Sequence, residues 1–143
     1  MHFADASFLV SAFLGDKNGP RAWKWWAESR VVLHVTPLVL LETENAIRSS
    51  VFQRGVSQRD SIEALNLLKR ALADGVLVRR DLTSRRMYPA AQRICMRNTG
   101  PETFGTMDII HVASAQEFGA YHFVCFDRAQ SKLAAAEGMA PCP

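Results

Sequence analysis

At 143 residues, with 48% apolar and 22% charged side chains, the chain is long enough to bury one core and too apolar to be disordered. Seventeen Lys and Arg against fourteen Asp and Glu leave a net charge of +3, an excess that a polyanionic partner would tolerate but that does not by itself indicate one. The longest apolar runs, "SFLVSAFLG" and "PLVLLE", fall far short of the roughly 20 residues of a membrane-spanning helix.

The opening stretch has no basic n-region and carries Asp5 inside its apolar run, so it does not read as a cleaved signal. The three cysteines, Cys95, Cys125 and Cys142, are widely spaced and form no CxxC pair, which suits a reducing compartment and offers no structural zinc pattern. The expectation is a cytoplasmic protein with no membrane segment, folded as a single domain over residues 1–143.

In chain order, "HFAD" reads as a first strand and "ASFLVSAFL" as the helix after it. "GDKNGP" is a turn, with Pro20 placed to start the helix "RAWKWWAES". "VVLHV" is the second strand. Thr36 then stands as N-cap with Pro37 at the first helical position, opening a helix that runs to Gly55. "SQRDSIEALNLLKRALAD" is an amphipathic helix closed by Gly75, and "VLVRR" is the third strand. "SRRMYPAAQRICMRN" looks helical with a fresh start at Pro89, and "TGPETFGT" is a loop. Thr106 is placed to cap the helix "MDIIHVASAQEF", "HFVCF" is a strand leading to Asp127, and "RAQSKLAAAEG" is the last helix. The tail "MAPCP" is expected as a ragged edge strand because of its prolines. Alternating strands and helices predict an α/β fold with a central parallel sheet of about four or five strands.

Four acids fall at related places in this pattern. Asp5 and Asp127 end strands, whereas Glu42 and Asp108 lie in early helical turns, and in a parallel α/β sheet these positions share the edge where ligands bind. Convergent carboxylates repel unless a divalent cation neutralises them. Hard oxygen donors suit Mg²⁺ or Mn²⁺, and such ions activate water and clamp the charge that develops on a phosphodiester. The chemistry these residues imply is phosphodiester hydrolysis.

On "FADASFLVSAF", "TPLVLLETENAIR", "TMDIIHVASA" and "FVCFDRAQSKLAAAEGM", the chain resembles the PIN-domain family of metal-dependent ribonucleases, and within it the short VapC-like toxins. The resemblance spans nearly the whole sequence. It implies a four-acid Mg²⁺ or Mn²⁺ site of Asp5, Glu42, Asp108 and Asp127 that cuts RNA to a 5′-phosphate and a 3′-hydroxyl. It further implies a toxin held in check by a small cognate antitoxin, and a homodimer. Two departures stand out: the family often has Ser or Thr two residues before the last Asp, where this chain has Cys125, and Glu44 adds a rival to Glu42.

Each acid also has an ordinary reading. Asp5 and Asp127 could cap the helices that follow them, and Asp108 could complement a helix dipole, but Glu42 lies beyond the first turn and has no capping role. Ser7 and Thr106 are candidates only for an outer shell beside Asp5 and Asp108. Glu44 lies about 200° from Glu42 around the helix and is expected to face solvent or pair with Arg48. His111 is read as a structural or solvent-facing histidine in preference to a substrate contact.

The three tryptophans of "WKWW" cannot all reach a core, so at least one should be exposed or cover a partner surface such as an antitoxin or a dimer interface. The arginine pairs Arg79–Arg80 and Arg85–Arg86 are read as solvated charge before phosphate grips. Two other classes compete with the nuclease. A silent PIN-like scaffold would bind RNA or protein without cutting it, and a phosphotransfer module would use Asp5 as acceptor, although "DAS" lacks the adjacent acid such modules use and no GxxxxGK[ST] loop is present.

Overall fold

Short, mostly apolar runs form strands of three residues each: β1 (His2–Ala4), β2 (Leu33–Val35), β3 (Leu77–Arg79), β4 (His122–Val124) and β5 (Ala140–Cys142). Between them run α1 (Ala6–Leu14), α2 (Gly19–Ser29), α3 (Pro37–Gln53), α4 (Gln58–Ala73), α5 (Ser84–Asn98), α6 (Thr106–Glu117) and α7 (Arg128–Ala136). The structure is a computed structural model and describes residues 1–100 and 102–143. Pro101, within the expected loop "TGPETFGT", lies outside the described residues.

All strand pairs are parallel, in the order β3-β2-β1-β4-β5. The chain therefore builds outward from β1 through β2 to β3, then returns to place β4 on the other side of β1. This reversal opens a crevice at the carboxyl ends of β1 and β4, the usual ligand position in an open parallel sheet. Asp5 follows β1 directly, and its backbone N–H donates to Val124 O at 2.9 Å, tying the ends of the two strands together.

The core lies on both faces of the sheet, as expected when helices cover a parallel sheet on both sides. Phe3 and Phe123 pair in register on β1 and β4 with ring centroids 5.8 Å apart, and both are fully buried. Phe8, Leu9, Ile47, Leu68, Ile94 and Leu133 are also fully buried, and each contributes on the order of 1.5–3 kcal/mol. Thr36 caps α3 as expected, its side chain accepting from Val39 N at 3.2 Å with Pro37 behind it. Gly15 ends α1 at φ 72°, a left-handed conformation that a side chain would strain.

Two expectations differ from the structure. Helix α5 runs unbroken through Pro89; the ring removes only one bond near the amino end, while Ala90, Ala91 and Ile94 bury against the core and hold the helix together. The N-cap of α6 is Gly105, not Thr106, which is already helical and exposed. The tail forms the expected edge strand, pairing parallel to β4, with Pro141 tolerated because β5 has a neighbour on one side only.

The tryptophans divide as their spacing requires. Trp26 is buried and donates from Nε1 to Val31 O at 3.0 Å, Trp25 is half-buried edge-on to Phe8, and Trp23 is 45% exposed beside an apolar cleft. Among the described residues no helix is long and apolar enough to cross a membrane.

Candidate active site

Asp5 is the N-cap of α1. Its Oδ2 accepts the backbone N–H of Ser7 at 2.8 Å, while Oδ1 is buried with no hydrogen-bond partner. The residue is 3% exposed. Burial raises the Asp5 carboxyl above its ordinary value and the nearby Glu42 charge adds to this, against opposing contributions from His111 and Ser7. A desolvated carboxylate oxygen with no donor is a strong electrostatic demand for a cation.

Glu42 lies on α3, one turn before Ala46, and both line a cavity of about 340 Å³. Its Oε2 stands 2.7 Å from Nε2 of His111, which reaches across from α6. His111 is fully buried, and its Nδ1 has no partner. Ligand-type atoms of Asp5, Glu42 and His111 all fall within 4.8 Å of one another.

Asp108 lines the same cavity from the first turn of α6. Its Oδ2 accepts the Gly105 N–H at 3.1 Å, and its Oδ1 accepts from Gln130 Nε2 at 2.9 Å. Gly105 matters here for its missing side chain, because a Cβ on it would stand 2.9 Å from Asp108 Oδ2. Asp127 also lines the cavity, but it is exposed and serves as the N-cap of α7, with Oδ1 accepting from Gln130 N at 2.8 Å.

The structure thus brings all four sequence-selected acids to the wall of one cavity, with Asp5 and Glu42 in the tight group and Asp108 and Asp127 outside it. Ser7 lines the cavity as well. Its hydroxyl accepts from Phe126 N at 3.0 Å, so it ties α1 to the segment that carries Asp127. Thr106 lines no part of the cavity. Glu44 is half-buried and outside it, and among the described residues it forms no ion pair with Arg48.

Cys125 does not line the cavity. Its Sγ lies 3.1 Å from Ser131 Oγ, and burial pushes the thiol up to about 12, so it remains a neutral thiol. Arg79 is paired with Asp81 and Arg86 with Glu117, which uses half of each exposed arginine doublet in ion pairs.

Three contributors were not selected from sequence. Gln130 is 3% exposed and holds two acids at once, Asp108 by its side chain and Asp127 by its backbone. A cue exists, since it stands three residues after a capping Asp. His111 carried a similar cue, three residues after Asp108 on one helix face. Arg54, at the end of α3, is exposed and lines the cavity as its cationic residue; no local pattern announces it, because it lies twelve residues from Glu42 and only the helix path brings it to the rim.

The PIN domain family model matches residues 3–136. No curated protein matches the chain by sequence. Among solved structures, VapC20 of Mycobacterium tuberculosis, a sarcin-ricin loop cleaving toxin, superposes with TM-score 0.72 at 19% identity, covering 100% of both chains. VapBC2 of Rickettsia felis, bound to a DNA fragment from its promoter, gives TM-score 0.69 at 11% identity over 98% of this chain and 96% of that one. FitAcB of Neisseria gonorrhoeae gives TM-score 0.62 at 13% identity over 100% of this chain and 97% of that one.

Proposed function

Because this chain belongs to the PIN-domain family, we propose that it is a metal-dependent endoribonuclease that hydrolyses RNA phosphodiester bonds, acting as the toxin of a toxin–antitoxin pair. The observation that carries this reading is the convergence of Asp5, Glu42, Asp108 and Asp127 on one cavity, with Asp5 Oδ1 buried and unpartnered.

The donor set fits a hard divalent cation. All four acids offer oxygen, and the desolvated Asp5 gains most from a positive charge nearby. Asp5, Glu42 and Asp108 would hold Mg²⁺ or Mn²⁺, with Asp127 at the outer rim. Such an ion supplies activation of water and stabilisation of charge on the phosphodiester.

The chain's own residues do the rest. Gln130 fixes Asp108 and Asp127 relative to each other across α6 and α7. Ser7 locks Asp5 to the segment before Asp127. Arg54 puts a guanidinium at the rim of an otherwise acidic cavity, where it can bind a backbone phosphate of the RNA and offset the repulsion between that phosphate and the carboxylates. Cleavage leaves a 5′-phosphate and a 3′-hydroxyl.

A small antitoxin that covers the acidic cavity, a homodimer and a cytoplasmic setting complete the reading; likeness in fold to VapBC2 and FitAcB supports the antitoxin. The test is cleavage of a structured RNA pool by protein freed of any co-purifying antitoxin, with Mg²⁺, Mn²⁺ or chelator, beside Asp108→Asn. Cutting that requires metal and disappears in the variant is expected. Well-folded protein that neither cuts nor binds Mn²⁺ would identify a silent scaffold.

A further inference from the structure

His111 is the one group of the tight cluster that does not line the cavity. It is fully buried behind Glu42, between α6 and α3, and Nε2 points at Glu42 Oε2 over 2.7 Å. Its second nitrogen, Nδ1, is buried without a partner. A proton on Nδ1 would be a buried N–H with no acceptor, a rarer and costlier condition than an unfilled acceptor lone pair. The imidazole therefore carries a proton on Nε2, the nitrogen that faces an acceptor, and donates it to Glu42.

We infer that His111 is a positioning residue that holds Glu42 by an Nε2–H···Oε2 hydrogen bond, leaving Oε1 as the oxygen that Glu42 offers to a divalent cation. The inference rests on the metal reading of the cavity given above. It assigns one oxygen of Glu42 to the protein and the other to the ion. Without His111, a flexible side chain on α3, 42% exposed, would have to be ordered by the ion alone. Hydrogen-bond donors behind carboxylate ligands fix their orientation, and losing one typically lowers metal affinity about 10–100-fold.

The rival is direct ligation, since the three residues place ligand-type atoms within 4.8 Å. It requires Nε2 to be unprotonated, which moves the proton to the unpartnered Nδ1, and it requires an imidazole outside the cavity wall to reach an ion inside it.

The test is Mn²⁺ binding by calorimetry to the full chain, to His111→Gln, which keeps an N–H donor, and to His111→Leu, which keeps none. Melting temperatures of the metal-free proteins are recorded alongside. The Leu variant should bind Mn²⁺ 10–100-fold more weakly and the Gln variant within a few-fold of the parent. Equal affinity in parent and Leu variant overturns the inference, whereas a parent that binds no Mn²⁺ overturns the metal reading and this inference with it. Two measurements on the unsubstituted protein stand even where the Leu variant does not fold. Imidazole ¹⁵N–¹H spectra should show the His111 proton on Nε2 with and without Mg²⁺. The Mn²⁺-loaded protein should show no directly coordinated imidazole nitrogen by electron spin-echo spectroscopy; a proton on Nδ1 or a coordinated nitrogen overturns the inference.

Discussion

Gln130 reaches from α7 to α6 and donates its side-chain amide to Asp108 Oδ1 over 2.9 Å, while its backbone N–H caps onto Asp127. One buried residue thus sets the spacing of two acids that the chain separates by nineteen positions, a separation that follows from their numbers 108 and 127. Replacing it by Leu removes the donor to Asp108 but leaves the backbone bond to Asp127. Cleavage and Mn²⁺ affinity should each fall by roughly 10–100-fold, as for other residues that orient metal-binding carboxylates. Parallel measurement of rate and Mn²⁺ titration checks this, and unchanged values in both would show that Asp108 is held by Gly105 alone.

Asp5→Asn should abolish cleavage and stabilise the metal-free protein. Asn caps a helix as well as Asp does, so the change isolates the charge. Burial raises the Asp5 carboxyl above its ordinary 3.8, so its contribution to stability is full below the unfolded value and is lost as pH rises through the folded one. At neutral pH the ionised form is therefore a burden that Asn removes. The melting temperature of the variant should exceed that of the parent near pH 7 without divalent ions, and the difference should shrink towards about pH 4. A variant less stable than its parent at neutral pH would make Asp5 a structural cap first.

Arg54→Ala should weaken RNA binding more than it slows the chemical step. Arg54 is exposed at the rim, and among the described residues it forms no ion pair, so its positive charge is available to a phosphate. In a non-cleaving Asp108→Asn background, the slope of log affinity against log salt should drop by about 1 relative to the same background with Arg54. An unchanged slope would place the phosphate path elsewhere.

Glu137 anchors the helices that carry the site. Its carboxylate, on a side chain 4% exposed, accepts from Asn98 Nδ2 at 2.7 Å, from Gln116 Nε2 at 3.0 Å and from Arg97, joining α5 and α6 to the end of α7. Burial alone would raise its carboxyl, but the bonds from Asn98, Arg97 and Gln116 outweigh that and hold it below the ordinary 4.5. Its stabilisation is therefore present above that value and is lost as pH falls through the folded one. Glu137→Gln should cost about 1–3 kcal/mol at neutral pH, and denaturation at a series of pH values should show the gap between the proteins closing in acid.

What the sequence alone determined is local. The Thr36–Pro37 start of α3, the glycine that ends α1 and the apolar run of β1 express backbone preferences and periodicities that act within a few residues. That Asp5, Glu42, Asp108 and Asp127 would face one cavity was legible because Asp5 and Asp127 follow strands while Glu42 and Asp108 lie in early helical turns, and a parallel α/β sheet sends such positions to one edge. Even local signals failed where several residues competed for one role, as Gly105 displaced Thr106 at the cap of α6 and core packing carried α5 past Pro89. Only the tertiary structure decided that His111 meets Glu42, 69 positions away, and that Gln130 meets Asp108, 22 away. Those meetings depend on the strand order β3-β2-β1-β4-β5, which brings α3, α6 and α7 around one crevice. A hydrogen bond needs placement within a few tenths of an ångström, and that accuracy comes from the packed core and not from the spacing of residues along the chain.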